Sequence, residues 1–389
     1  MKQIGVLPEI AAIEDEVIEI RRRLHAHPEL GFQEHATSEL VASLLAGWGY
    51  DVTRGVGGTG VVGVLERGRG RRLGLRADMD ALPIQERTPL PYASRTEGVM
   101  HACGHDGHTA MLLAAARCLA QRTDWQGTLN LIFQPAEEGL GGARKMIEDG
   151  LFERFPCDAV FAMHNVPGLP AGRLGFRSGP FMASADEVTI RVVGRGGHGA
   201  SPQQTIDPVV VCASIVMALQ SIVARNVDPR EPAVVTVGAI HAGTASNVIA
   251  PHADLLLSVR ALSPEVRALL EKRIGEIARG QAASYGAQVE IDYQHTYPVL
   301  VNHAGETEFA RQVALDHGGA QALIENLHPL MASEDFACML ERCPGSYLSI
   351  GNGDTQGGCG LHHPEYDFND DILAIGASFW VRLAQRALQ

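Results

Sequence analysis

Gly127-Thr-Leu-Asn-Leu-Ile-Phe-Gln-Pro-Ala-Glu137-Glu138 is an apolar, strand-like run that closes on two adjacent carboxylates. In extended or turn backbone, neighbouring side chains point in different directions. One carboxylate can therefore hold a metal while the other takes a proton from water beside it. A helix is unattractive here, because Pro135 precedes the pair and Gly139 follows it. The pattern of an apolar strand running into a polar group recurs. Residues 73–76 lead to Asp78 and Asp80, 159–163 to His164, and 348–350 to a glycine-rich loop before His362. Four strands ending this way bring their polar groups to the carboxyl edge of a sheet, the usual ligand crevice of α/β folds. With Cys103 and His105, the set offers the thiolate, imidazole and carboxylate donors that zinc or manganese accepts.

Outward from these strands, periodicity predicts helices at 10–23, 37–48, 108–120 and 143–148, and strands at 61–65, 73–76, 128–133 and 159–163. Their alternation implies an α/β unit, a sheet containing parallel strands with helices on both faces. From about Ala185 the pattern restarts. Strands at 188–193, 233–240, 255–259 and 289–293 and helices at 208–223 and 264–283 follow the order of a ferredoxin-like α+β sandwich. Helix-rich sequence returns from Glu306, with a strand at 346–350. The expected organisation is a catalytic domain of residues 1–184 plus 298–389, interrupted by an inserted domain of residues 185–297.

A chain of 389 residues is too long for one ordinary core, and 46% hydrophobic residues suffice for packed globular units. A net charge of −13 without basic clusters argues against nucleic acid or an anionic membrane as partner. Glu9, Glu14, Asp15 and Glu16 interrupt any apolar leader, and no run of about 18 apolar residues is evident. Seven cysteines without a spacing pattern do not form a disulfide framework. A reduced, cytoplasmic protein is expected. His25 and His27, in Leu-His-Ala-His-Pro, imitate a metal pair but end a helix before a proline, so ligation is not expected there. His101 and His108 flank the site as supporting groups. Gly194-Arg-Gly-Gly-His-Gly199 formally matches a dinucleotide fingerprint, which makes a nicotinamide-dependent oxidoreductase the rival from another reaction class. Ser201-Pro202 stands where the helix should begin, and no acidic residue follows about 20 positions on.

Several stretches resemble the aminoacylase/carboxypeptidase-type dinuclear metallohydrolases, nearest to the branch of hippurate hydrolase, N-acyl-L-amino-acid amidohydrolase and the plant auxin-conjugate amidohydrolases. They are Arg22-Arg-Leu-His-Ala-His-Pro-Glu-Leu-Gly-Phe, Arg76-Ala-Asp-Met-Asp-Ala-Leu-Pro, His101-Ala-Cys-Gly-His-Asp-Gly-His, Phe133-Gln-Pro-Ala-Glu-Glu-Gly and Met163-His-Asn. Gly194-Arg-Gly-Gly-His-Gly-Ala-Ser-Pro, Ser246-Asn-Val-Ile, Ser333-Glu-Asp-Phe and Leu361-His-His-Pro continue the series across almost the whole chain.

The resemblance implies two divalent ions per subunit, held by Cys103, His105, Glu138, His164 and His362. It implies Glu137 as catalytic base and Asp80 as a supporting carboxylate. The inserted domain would be a lid and homodimer interface, with His198 reaching the oxyanion and Asn247 and Arg260 binding substrate. Asp78 stands where many relatives outside this branch carry a histidine, so their metal geometry does not transfer, and which ligand bridges is open. Softness favours zinc, while manganese, cobalt and nickel suit the imidazoles and carboxylate. Cys103 must be a thiolate to coordinate, so metal affinity should fall in acid. The implied reaction is hydrolysis of an N-acyl amino acid. A dipeptidase or carboxypeptidase using the same metals is the close alternative, and the retained Glu137 argues against a non-catalytic metal-binding protein.

Overall fold

The computed structural model describes residues 5–355 and 358–389. Backbone contacts divide the chain into two units: Met1–Gly179 with Val301–His328 and Asp335–Gln389, and Pro180–Leu300 with Pro329–Glu334. The short return of residues 329–334 is fixed by backbone pairing, since the Ala183 amide donates to Leu330 and Ala332, and the Leu330 amide to Phe181.

The first unit is built on a sheet of strands β1 (Asp51–Val56), β2 (Gly60–Arg67), β3 (Arg72–Asp78), β4 (Gly127–Gln134), β5 (Ala159–Pro167), β6 (Leu174–Gly175), β7 (Leu323–Ile324) and β8 (Gly345–Gly353), in the order β1-β2-β4-β3-β5-β8-β6-β7. The sheet is mixed. The four central strands, β4, β3, β5 and β8, are parallel, whereas β1–β2, β2–β4 and β6–β8 pair antiparallel. Central parallel strands are covered on both faces, which explains their continuous apolar runs rather than alternation. Leu73, Leu75, Leu129, Leu131, Phe133, Phe161, Leu348 and Ile350 all lie in one buried core. Helix His105–Gln121 packs on β3 and against Leu373–Ala387 within that core.

The structure departs from the periodicity at four places. The 10–23 helix is broken into Pro8–Ala11 and Glu14–Ala26. The 108–120 helix starts at His105, because Gly104 turns the chain with φ +95° immediately before it. Strand β5 continues through His164 to Pro167, carried by its parallel register with β8. Strand β1 escaped the apolar pattern because it is an edge strand with most of its residues at least partly exposed.

The second unit has a four-stranded antiparallel sheet in the order Ala233–Ala242, His252–Ala261, Ser184–Val193, Gln288–Tyr297. Helices Pro208–Leu219, Ser221–Asn226 and Pro264–Ser284 accompany it, giving the ferredoxin-like arrangement. One expectation needs correction: Pro208–Asn226 is long and apolar enough, by length and composition, to cross a membrane. Here the stretch is two helices meeting at Gln220, and Val211, Cys212, Ile215, Leu219 and Ile222 belong to the apolar core with Val188, Ile190 and Leu270.

Asp186 is buried on the first strand of this unit and is held by the Arg267 guanidinium at 2.5 Å and the Tyr293 hydroxyl at 3.0 Å. Removing the cation of a buried pair costs roughly 3–5 kcal/mol. Arg267→Ala should therefore destabilise this unit by about 3 kcal/mol. In hydrogen exchange, amides of Ser184–Val193 should lose protection while those of β3 and β5 keep theirs; equal protection in both proteins would refute it.

Candidate metal centre

The parallel strands deliver their polar groups to one edge. Asp78 ends β3, with one carboxylate oxygen 2.7 Å from Arg76 Nη1 and the other 2.6 Å from His108 Nδ1. Arg76 is itself buried. It donates to Gln134 at the end of β4 (2.8 Å) and lies 3.3 Å from Asp335, whose other oxygen accepts the Ala143 amide (2.8 Å). This network ties the ends of β3 and β4 into a fixed frame. Two residues beyond Asp78, Asp80 accepts from His105 Nδ1 (3.2 Å) and from the Glu138 amide (2.9 Å).

Cys103 and His105 straddle Gly104. A Cβ on Gly104 would lie 2.4 Å from Asn165 Oδ1 and 2.8 Å from the Tyr366 hydroxyl, so the turn closes tightly over β5. His164 Nδ1 donates to the Asn165 carbonyl (2.7 Å), which leaves Nε2 as the acceptor, 3.3 Å from Cys103 Sγ. His362 has φ +63°, and its amide bonds the Ala102 carbonyl (2.8 Å). Its Nε2 lies 3.3 Å from Glu138 Oε1.

These contacts bring Cys103, His105, Glu138, His164, His362 and Glu137 into one cluster. Donor atoms lie within 4.8 Å of one another in the sets Cys103–His105–His164, Cys103–Glu138–His362 and His105–Glu137–Glu138. The donor chemistry suits divalent cations. Among the described residues, His105 Nε2 and Glu138 Oε1 are buried without hydrogen-bond partners, 4.0 Å apart. A carboxylate behind the ligand imidazole, as Asp80 is behind His105, fixes the tautomer that presents Nε2.

Electrostatics point the same way. Burial would lower the His105 imidazolium, but Asp78, Asp80 and Glu138 outweigh it and push the pKa up to about 10. The pocket thus demands positive charge at His105. Burial, and then Glu138, Glu137 and Asp78, push the Cys103 thiol well above its ordinary range, so the sulfur needs a cation beside it to ionise. Burial and His108 hold His164 well below the ordinary imidazole range, which keeps the ring neutral.

His108 forms a further donor set with Asp78 and His105 and has other partners in the structure. Its two ring nitrogens are engaged by Asp78 and by Asn165 Oδ1 (2.8 Å). His25 is buried and bonds Asp106 (2.8 Å) and Glu86 (3.3 Å), while exposed His27 bonds the Arg23 carbonyl. Asp106 also takes the buried Arg21 at 2.9 Å, so these side chains anchor the first turn of the helix that begins at His105. Burial alone would lower His25, but Asp106 and Glu86 push it up to about 9.

In the second unit, His198 and Asn247 are neighbours. His198 pairs with Val248, and the Gly199 amide donates to the Asn247 carbonyl (2.8 Å). Both are exposed. Arg260 Nη1 donates to Ser333 Oγ at 2.7 Å. No helix opens at the Gly194–Gly199 glycines; the next α-helix begins at Pro208, against the dinucleotide reading. The residues that motif reading did not assign are Glu34, Arg76, Asn165 and Asp335. Arg76, Asn165 and Asp335 lie inside the motifs above and Glu34 two residues beyond one, but their roles depend on partners far away in the chain.

A thiol, three imidazoles and paired carboxylates at the carboxyl edge of parallel strands define a metal-dependent hydrolase. Residues 74–386 match the profile of Peptidase family M20/M25/M40, and the chain belongs to that family. It is 46% identical to the hippurate hydrolase of Campylobacter jejuni, over 99% of this chain and 100% of that protein. It is 37% identical to the N-acetylcysteine deacetylase of Bacillus subtilis, over 97% and 98%. The fold matches the crystal structure of the Bacillus subtilis YXEP protein, described as a dinuclear metal binding peptidase, with TM-score 0.84 and 34% identity over 97% and 99% of the two chains.

Supporting carboxylates of metal-ligating histidines are worth about 10–100-fold in affinity. Asp80→Ala removes the acceptor of His105 Nδ1 and of the Glu138 amide together. Its metal affinity in a chelator competition should fall by about 100-fold, and an unchanged affinity would separate Asp80 from the centre.

Proposed function

We propose that this protein hydrolyses the amide bond of N-acyl amino acids, releasing a carboxylate and a free amino acid, with Glu137 as general base. The observation that carries the proposal is the position of Glu137. Its buried carboxylate has an oxygen within 4.8 Å of the donor atoms of His105 and Glu138. Cys103, His105, Glu138, His164 and His362 would hold two divalent cations. Such cations lower the pKa of water at the site and polarise the scissile carbonyl. Glu137 accepts the proton of the attacking water and returns it to the nitrogen of the departing amino acid, a role worth about 10²–10⁴-fold in rate. Asp80 and the Asn165 carbonyl hold the imidazoles of His105 and His164 in their ligating tautomers.

The names of the hippurate hydrolase and N-acetylcysteine deacetylase relatives support an N-acyl amino acid as substrate. Zinc is the proposed metal on the softness of a Cys103 thiolate, with manganese, cobalt and nickel as the alternatives the imidazoles accept. We assign His198 to the oxyanion and Asn247 and Arg260 to substrate binding, in a homodimer formed through the inserted block. A cytoplasmic location accords with a thiolate ligand that must stay reduced.

Glu137→Gln should retain metal in elemental analysis yet lose at least about 100-fold in kcat. Cys103→Ala should lose metal as well as activity. Full activity in the Gln variant would remove Glu137 from the base role. Across a panel of benzoyl-, acetyl- and long-chain-acyl amino acids and simple dipeptides, the acyl compounds should be cleaved with the higher kcat/KM. Preferential dipeptide cleavage would replace the amidohydrolase reading by a dipeptidase.

A further inference from the structure

We propose that Glu34, a carboxylate outside the ligand cluster, is the positioning residue for the general base, acting through the backbone amide of Ala136. The inference rests on the reading of Glu137 as that base.

Glu34 is fully buried, yet it follows a loop remote in sequence from the centre. One of its oxygens accepts the Ala136 amide at 2.8 Å, and the other accepts the Thr59 hydroxyl at 2.5 Å. The Thr59 carbonyl in turn accepts the Ser38 hydroxyl, so the acceptor is itself braced from two elements. Ala136 is the residue immediately before Glu137, and it has φ +53°. An L side chain holds that left-handed conformation only where its surroundings impose it. The Ala136 amide goes to Glu34, its carbonyl accepts the Gly142 amide at 3.0 Å, and the Glu138 amide goes to Asp80 at 2.9 Å.

Glu137 therefore sits between two amides, each gripped by a carboxylate. Asp80 ties the far side to His105, and Glu34 ties the near side to the loop of residues 29–34. That loop is seated on both turns. The Ala81 amide donates to the Glu29 carbonyl at 2.8 Å, and a Cβ on Gly31 would come within 3.0 Å of Ala136 Cβ. Without the Glu34 acceptor, nothing else among the described hydrogen bonds receives the Ala136 amide, and the turn can relax towards an ordinary φ. The Glu137 carboxylate would swing with it. A displacement of about 1 Å of a catalytic group costs on the order of 100-fold in rate.

The test uses the metal-loaded enzyme and N-benzoylglycine, or whichever acyl amino acid is turned over fastest. Glu34→Ala is expected to lower kcat by about 100-fold while KM stays within about threefold and metal content is unchanged. Glu34→Gln keeps an oxygen for the Ala136 amide and should recover activity to within about tenfold of the wild type. Thr59→Val, which removes the brace without touching the turn, should lower kcat by about tenfold at constant KM and metal content. A metal-loaded Glu34→Ala enzyme with wild-type kcat, or equal losses in the Ala and Gln variants, overturns the proposal. Should Glu34→Ala fail to fold, Thr59→Val decides it, and an unchanged kcat there overturns it. Glu137→Gln, assayed alongside, separates the two claims. An active Gln variant refutes the base, whereas an inactive one beside a fully active Glu34→Ala enzyme refutes only the clamp.

Discussion

The architecture depends on keeping ionised carboxylates inside a protein core. Burying such a group is strongly unfavourable unless a cation or several hydrogen bonds offset the lost hydration. Asp78, Asp80, Asp106, Glu137 and Asp335 are all buried around the ends of the central strands. Arg76 serves Asp78 and Asp335, and Arg21 with His25 serves Asp106. Burial would raise the Asp106 carboxyl, but Arg21 and His25 hold it far below the ordinary range. The remaining negative charge, near His105, is what divalent cations are suited to neutralise.

The parallel sheet is the means of concentrating that charge. The central strands are largely apolar and carry their candidate metal-binding groups at or close to their carboxyl ends. The antiparallel strands β1 and β2 extend the sheet on one side without contributing to the cluster. Helix His105–Gln121 does contribute, because the left-handed Gly104 places its first residue, His105, in the donor cluster. The Arg21–Asp106–His25 ion network then prevents that first turn from fraying.

Much of the centre was legible in the sequence because strand termini and donor-bearing residues are local signals. Apolar runs ending at Asp78, Glu137 and His164 announce a sheet edge whatever lies between them. The second unit was legible for a similar reason, its strands and helices following a periodic order. Long-range partners were not legible. Nothing around Glu34 distinguishes a surface glutamate from one that reaches Ala136, 102 positions away. The pairing of Arg76 with Asp335, 259 positions apart, is equally invisible to periodicity. Helix limits failed where one backbone angle decided them, as at Gly104. The apolar stretch Pro208–Asn226 was passed over because its few polar residues hide a run that averages as strongly hydrophobic.

The candidate ligands are unequally shielded. Cys103 and His105 are buried, whereas the His362 side chain is 52% exposed and its loop leaves the core on a left-handed residue. A cation held by the proposed donor set would therefore meet solvent on the His362 flank. Its exchange would then depend on one surface turn, and its retention on the buried donors Cys103 and His105.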